Sequence, residues 1–191
     1  SGTHELYSLI TWLLRENYRC VLFDYVDAAG VSRENLADLL PQVAKLHQDT
    51  ESVTLVTRDF GLQVSQYCSL RHPGFLETLI CQTPHLEFPL AKSELRLAKL
   101  GRKFPMKLKR VPGRQMIQQR IHRVWFPPYD QSRFDFYLDN TGEQSTSALS
   151  QRFLLNASPL PAWPDESIPE KMLIIRAEGE TPAQTKSAEE L

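Results

Sequence analysis

Val53–Thr57 reads VTLVT, a β-branched run that predicts a strand. Upstream of it, Cys20–Val26 (CVLFDYV) is a short, nearly continuous apolar run, as expected of a strand covered on both faces. Helical patterns precede each of them. Leu6, Leu9, Ile10 and Leu13 recur at helical spacing over His4–Arg15. After a break at Ala28-Ala29-Gly30, Ser32 is a good N-cap and Glu34 suits the positive end of a helix dipole. Leu36, Leu39, Leu40, Val43 and Leu46 continue that helix, and Pro41 within it predicts a kink or a division in two. Helix, strand, helix, strand in this order predicts parallel strands joined by a right-handed crossover. The expected fold class is therefore α/β: a small parallel-sheet domain with flanking helices over residues 3–100, followed by a basic, strand-containing extension.

Further along, Val64, Tyr67 and Cys68, then Phe75, Leu76 and Leu79, predict two short helices separated by His72-Pro73-Gly74. Leu86–Leu90 is read as a third strand, and Leu90 to Leu100 as a helix that Gly101 ends. In the extension, residues 101–157, Phe134, Phe136 and Leu138 alternate as in a half-buried strand, and Phe153–Leu155 is another strand candidate. Residues 158–191 are expected to hold a proline-rich linker (Pro159, Pro161, Pro164, Pro169), the strand candidate Met172–Ile175 and a disordered tail from Glu178 to Leu191.

The 191 residues are 41% hydrophobic and 24% charged with a formal net charge of -1, which excludes wholesale disorder, a collagen-like fibre and a disulfide-stapled miniprotein. No apolar run approaches the roughly 20 residues of a membrane span. Cys20, Cys68 and Cys81 are odd in number and read as reduced. No secretory signal pattern opens the chain, so a cytoplasmic location is expected.

Charge is concentrated locally. From Lys92 to Arg123 there are eleven Lys and Arg against one acid, Glu94. Arg102, Lys103, Lys107, Lys109, Arg110, Arg114, Arg120 and Arg123 are candidate ligand or nucleic-acid contacts, with Phe104, His122, Trp125 and Phe126 interleaved as stacking surfaces. Cys68-x3-His72 and Cys81-x3-His85 place four zinc-competent side chains close in sequence, a candidate structural zinc site, although cysteines at apolar-periodic positions are ordinarily core residues. Beyond that zinc, no cofactor is expected. Asp24, Glu34, Asp38 and Asp59 are carboxylates that a Mg²⁺-dependent nuclease would use. Asp59-Phe60-Gly61 matches a kinase tripeptide by chance, without a Gly-rich loop or an HRD sequence. No Ser-His-Asp order, nucleophile elbow, P-loop or GxGxxG is found.

Asp24 and Asp27 end one predicted strand, and Thr57 and Asp59 the next, where an open parallel sheet binds ligands. With VLFDYVDAAG and VTLVT, residues 20–98 resemble the receiver domains of bacterial response regulators. The resemblance implies Asp24 as phosphate acceptor, Thr57 as its contact and Asp27 and Asp59 beside them. Phe88 stands before Pro89 where that family has lysine, so the resemblance is to a degenerate receiver. VTLVTRDFGLQ slightly resembles the late strand of PIN-type nucleases. Arg110-x3-Arg114 with Asp139-Asn140-Thr141 resembles the cyclic-di-GMP-binding PilZ pattern. The leading functional expectation is a non-catalytic regulatory or assembly module acting through a protein partner. The alternatives are nucleic-acid binding through residues 92–123, a metal-dependent nuclease, or cyclic-di-GMP binding.

Overall fold

A computed structural model of the protein describes residues 7–22, 30–47, 53–84, 86, 90–125, 130–176, 182–189 and 191. Three parallel strands, β1 (Val53–Asp59), β2 (Leu76–Pro84) and β3 (Lys171–Ile175), form a sheet in the order β1-β2-β3. VTLVT is thus a strand as expected, extended by Arg58 and Asp59, and Met172–Ile175 is the core of β3. Residues 23–29, most of the CVLFDYV run, lie outside the described residues, as do residues 87–89 of the predicted Leu86–Leu90 strand.

α3 (Phe60–Arg71) starts directly at the end of β1, with no intervening loop, and is buried along almost its whole length. It packs on β1 and β2 on one side and on α2 (Arg33–His47) on the other. Leu62 of α3 meets Leu79 and Cys81 of β2, and Leu55, Leu86, Trp163, Met172 and Leu191 close around them. The polar residues of so enclosed a helix need internal partners. Ser65 Oγ donates to Gly61 O at 2.8 Å, Gln63 Nε2 to Leu86 O at 3.3 Å and Gln66 Nε2 to Pro161 O at 2.8 Å. The last two fasten the chain after β2 and before β3 to the central helix.

α2 is one helix across Pro41, so of the expected kink or division the division does not occur. One proline removes one backbone bond, while Leu36, Ala37 and Leu40 are buried and hold the helix against α3. Its start is fixed by Ser32, whose Oγ accepts from Asn35 N at 3.1 Å. Arg33 is 3% exposed and donates to Pro159 O at 3.1 Å and Ser158 O at 2.9 Å, and also to Leu155 O. Its guanidinium also lies 5.6 Å from the Tyr67 ring centroid.

The segment after His72-Pro73-Gly74 is β2, not a second short helix. Thr78, Ile80 and Thr83 are β-branched, and pairing with β1 outweighs the three apolar positions that resembled a helical period. Phe134–Leu138 is helical as well: α6 (Gln131–Gly142) is capped by Asp130, whose carboxylate accepts from Arg133 N at 3.1 Å. Phe134 is fully buried while Phe136 is half-exposed, so the alternation that suggested a strand is one turn of helix seen from its side. Phe153–Leu155 lies in α7 (Thr146–Asn156), capped by Ser145. The described part of the extension also holds α5 (Arg114–Trp125) and a single isolated bridge, Lys107 to Ser145, but no strand. In the tail, Pro182–Glu189 is a helix (α8), and Leu191 packs on the core where disorder was expected. α1 (Ser8–Leu14) keeps the predicted amphipathic segment helical, but it has no buried residue. α4 (Lys92–Gly101) follows the prediction, with Glu94 accepting from Ala91 N at 2.8 Å.

By contacts the chain forms two compact units, residues 30–98 with 152–191, and residues 1–29 with 99–151. The first carries the sheet, α2, α3 and α8. The second carries α1, α5, α6 and a 3-10 turn at Leu108–Arg110 that packs on α6. In that unit a Cβ on Gly142 would lie 3.3 Å from Lys109 Cβ and 3.2 Å from Arg114 Nη1, so the close approach suits glycine.

Leu62→Ala removes the side chain on which the core cluster closes. Urea unfolding is expected to show a loss of about 2–5 kcal/mol, whereas a loss below about 1 kcal/mol contradicts this placement of the core.

Candidate active site

The junction of β1 and α3 turns on a single residue. Asp59 has φ 50° and ψ -117°, outside the ordinary range for an L-residue and off the left-handed helical region in ψ. Such a conformation costs of order 1–3 kcal/mol and is kept where the surroundings over-determine it. An aspartate in the N-cap position normally accepts from the first turn of its helix, but Asp59 makes no side-chain cap bond. Its carboxylate meets Thr83 Oγ1 at 3.3 Å from Oδ1 and Arg58 Nε at 3.4 Å from Oδ2. It is partly exposed, at the carboxyl edge of a parallel sheet and at the positive end of a twelve-residue helix. A carboxyl group so placed can be met by a molecule approaching from solvent.

The other described residues of the predicted sites lie elsewhere. Asp24 and Asp27 are outside the described residues, so of the four pocket positions the structure describes Thr57 and Asp59. Thr57 is buried opposite Cys81, inside the sheet rather than at its edge. Asp38 accepts two bonds from Arg71, each 2.8 Å, and one contact of 2.8 Å with His72 Nε2. One clamp between α2 and the end of α3 therefore occupies both a nuclease-type acid and a zinc-type histidine. Arg71 and His72 hold the Asp38 carboxyl at about 2. Burial pushes the Cys68 thiol up to about 12 and the Cys81 thiol to about 11, which leaves both neutral at physiological pH. His85 is outside the described residues, and among those described no group of three or more His, Cys, Asp or Glu could hold a metal.

Several cations of the extension make structural bonds within their own unit. Lys107 Nζ lies 2.6 Å from Glu143 Oε2, and Lys109 pairs with the other oxygen, which brings the Glu143 carboxyl to about 2. Arg114 donates to Leu138 O at 3.2 Å and Thr141 Oγ1 at 2.6 Å, closing the end of α6. Arg102 reaches Gln151 Oε1 at 3.5 Å. Lys103, Arg110, Arg120 and Arg123 are exposed. Lys109 and Arg114, with Met116 and Asp139, line an open cleft of about 870 Å³.

No family model matches the chain, and no curated protein sequence is similar to it. Solved structures are similar. A thermophilic esterase from Thermogutta terrifontis superposes with a TM-score of 0.65 at 15% identity, over 98% of this chain and 82% of its own. A putative non-heme bromoperoxidase, BpoC, from Mycobacterium tuberculosis H37Rv gives 0.67 at 14% identity, over 100% and 76%. MGS-M2, an alpha/beta hydrolase enzyme from a Medee basin deep-sea metagenome library, gives 0.60 at 12%, over 98% and 73%. The fold is that of the α/β hydrolases.

This likeness corrects the receiver resemblance: the solved neighbours are α/β-hydrolase-fold enzymes and not response-regulator receiver domains. It equally corrects the expectation of a non-catalytic regulatory or assembly module and its alternatives of nucleic-acid binding, metal-dependent nuclease and cyclic-di-GMP binding, since the neighbours are esterases and related enzymes. The sequence has no Gly-x-Ser-x-Gly nucleophile elbow, but the β1–α3 junction has a backbone turn of that kind. In that motif, Gly-x-Ser-x-Gly, the nucleophile sits on a strained strand-to-helix turn. Thr57-Arg58-Asp59-Phe60-Gly61 has that turn and the final glycine, with threonine for the first glycine and aspartate for serine. The available signal was the direct passage from VTLVTRD to FGLQ without loop residues.

The Asp38 clamp gives a pH dependence of known sign. Its folded pKa lies below the ordinary aspartate value, so the stability it contributes is present above about pH 4 and is lost as pH falls toward about 2. Acid unfolding followed by circular dichroism is expected to be less steep across that window for Asp38→Asn than for the natural protein. Identical acid limbs for the two proteins contradict the clamp.

Proposed function

We propose that the protein is a hydrolase whose nucleophile is the Asp59 carboxylate. The observation that carries this reading is the strained φ and ψ of Asp59 at the β1–α3 turn, which present a carboxylate to solvent instead of to its own helix. The likeness to α/β-hydrolase enzymes supports it.

The nucleophile narrows the substrate. A carboxylate adding to an ester carbonyl is expelled again more readily than the alkoxide, so acyl transfer is poorly served by Asp59. Attack on a saturated carbon bearing a leaving group has no such reversal. An Asp59 oxygen forms a C–O bond to that carbon while the carbon–leaving-group bond breaks, and the leaving group takes the bonding pair. Water then adds to the carbonyl carbon of the resulting aspartyl ester; one of its protons passes to the departing alkoxide and the other to solvent, which releases the alcohol and restores the carboxylate. The substrate class is an alkyl halide or an epoxide, which yields an alcohol or a diol.

A single turnover of 1-bromobutane or 1,2-epoxybutane by excess enzyme in H₂¹⁸O tests this. The expected result is ¹⁸O in the Asp59 carboxylate, read by peptide mass spectrometry, with unlabelled oxygen in the product and no turnover by Asp59→Asn. Label appearing directly in the product, or turnover surviving in Asp59→Asn, rejects the reading.

A further inference from the structure

Among the described residues two non-glycine residues have positive φ, Asp59 and Thr83, both at 50°. They stand at the carboxyl ends of neighbouring parallel strands, and their side chains touch. A β-branched residue in this region is a genuine outlier, because its second γ-branch crowds the backbone. The pairing register explains how it arises. Arg58 is opposite Gln82, but Asp59 is opposite Pro84, so Thr83 is the extra residue of an irregularity at the very end of β2. Such bulges re-aim a side chain. Thr83 is 7% exposed, and its hydroxyl lies 3.3 Å from Asp59 Oδ1 and 2.8 Å from Gln82 O.

We infer that Thr83 is the positioning residue of the turn: its hydroxyl, aimed by the bulge, holds Asp59 Oδ1 and leaves Oδ2 as the reacting oxygen. The inference rests on the hydrolase reading for the word "reacting", but the positioning itself does not. The two carboxylate oxygens are held unequally. Oδ1 has a buried, backbone-fixed neutral donor. Oδ2 has Arg58, whose side chain is 41% exposed, and such solvent-exposed pairs contribute little and exchange readily. A hydroxyl has one proton, and Gln82 O competes for it. A carboxylate oxygen is a stronger acceptor than a peptide carbonyl, which favours the proton pointing to Oδ1 and so fixing the side-chain rotamer. With that oxygen engaged, Oδ2 is the one a substrate carbon can reach by displacing the Arg58 guanidinium.

Two measurements separate this inference from the hydrolase reading. The first is the Asp59 χ1 rotamer, from NMR scalar couplings on the full chain. A single rotamer is expected for the natural protein and for Thr83→Ser, and rotamer averaging for Thr83→Val and Thr83→Gly. The glycine variant removes the hydroxyl while relaxing the positive φ, so it guards against a valine variant that fails to fold. The second is covalent capture of Asp59 by 1,2-epoxybutane, mapped to the residue by peptide mass spectrometry. Loss of the hydroxyl is expected to slow the saturated rate about tenfold with the half-saturating concentration unchanged, and serine is expected to restore it to within about twofold. Unchanged χ1 couplings in both valine and glycine variants overturn the inference, as does failure of serine to restore the rotamer. Averaged couplings in those variants with no adduct on natural Asp59 leave the positioning contact standing and remove the hydrolase reading instead.

Discussion

One backbone constraint organises the sheet unit: the chain must pass from the last residue of β1 to the first of α3 at a single residue, Asp59. Because no loop intervenes, α3 returns immediately over the sheet, and its whole length is enclosed between β1, β2 and α2. The core cluster around Leu62, the internal partners of Ser65, Gln63 and Gln66, and the clamp from Asp38 to Arg71 and His72 at the far end all follow from this placement. The strain at Asp59 is held by packing at both ends of α3. That is the arrangement in which a residue can remain in a sparsely populated conformation.

The same constraint sets what the side chain does. A relaxed aspartate before a helix would spend its carboxylate on the first-turn N–H groups. The turn at Asp59 directs it to Thr83 and Arg58 instead, at the edge of the sheet. On the hydrolase reading proposed above, reactivity and strain have one origin. The buried thiols of Cys68 and Cys81 keep their protons, and the carboxyls of Asp38 and Glu143 are engaged by Arg71 and His72 and by Lys107 and Lys109.

Much of this fold was legible in the sequence, and the parts that were not failed for identifiable reasons. β-Branched runs located β1 and β3, and Ser32 located the start of α2. Phe134, Phe136 and Leu138 alternate in sequence, but α6 buries only the first of the three fully, a distinction that tertiary packing makes and period-two counting cannot. β2 was hidden because Leu76 and Leu79 are three apart, and only pairing with β1 decides their state. The basic run read as one face, yet Lys107 and Lys109 answer Glu143 and Arg114 answers α6 carbonyl and hydroxyl oxygens from residues more than twenty positions away. The turn was missed because its motif is normally recognised by glycine and serine, whereas its physical content is a backbone angle that Thr57-Arg58-Asp59-Phe60-Gly61 does not announce.

Strain of the Asp59 backbone into glycine-like space is measured by comparing Asp59→Gly with Asp59→Ala in urea. Both variants lose the carboxylate equally, so their difference reads only the backbone. At an unstrained position alanine is more stable than glycine by about 0.4–1 kcal/mol, because glycine leaves more freedom to the unfolded chain. Strain at Asp59 reverses that order, with glycine expected to be more stable than alanine by about 1 kcal/mol or more. Alanine equal to or more stable than glycine would contradict it.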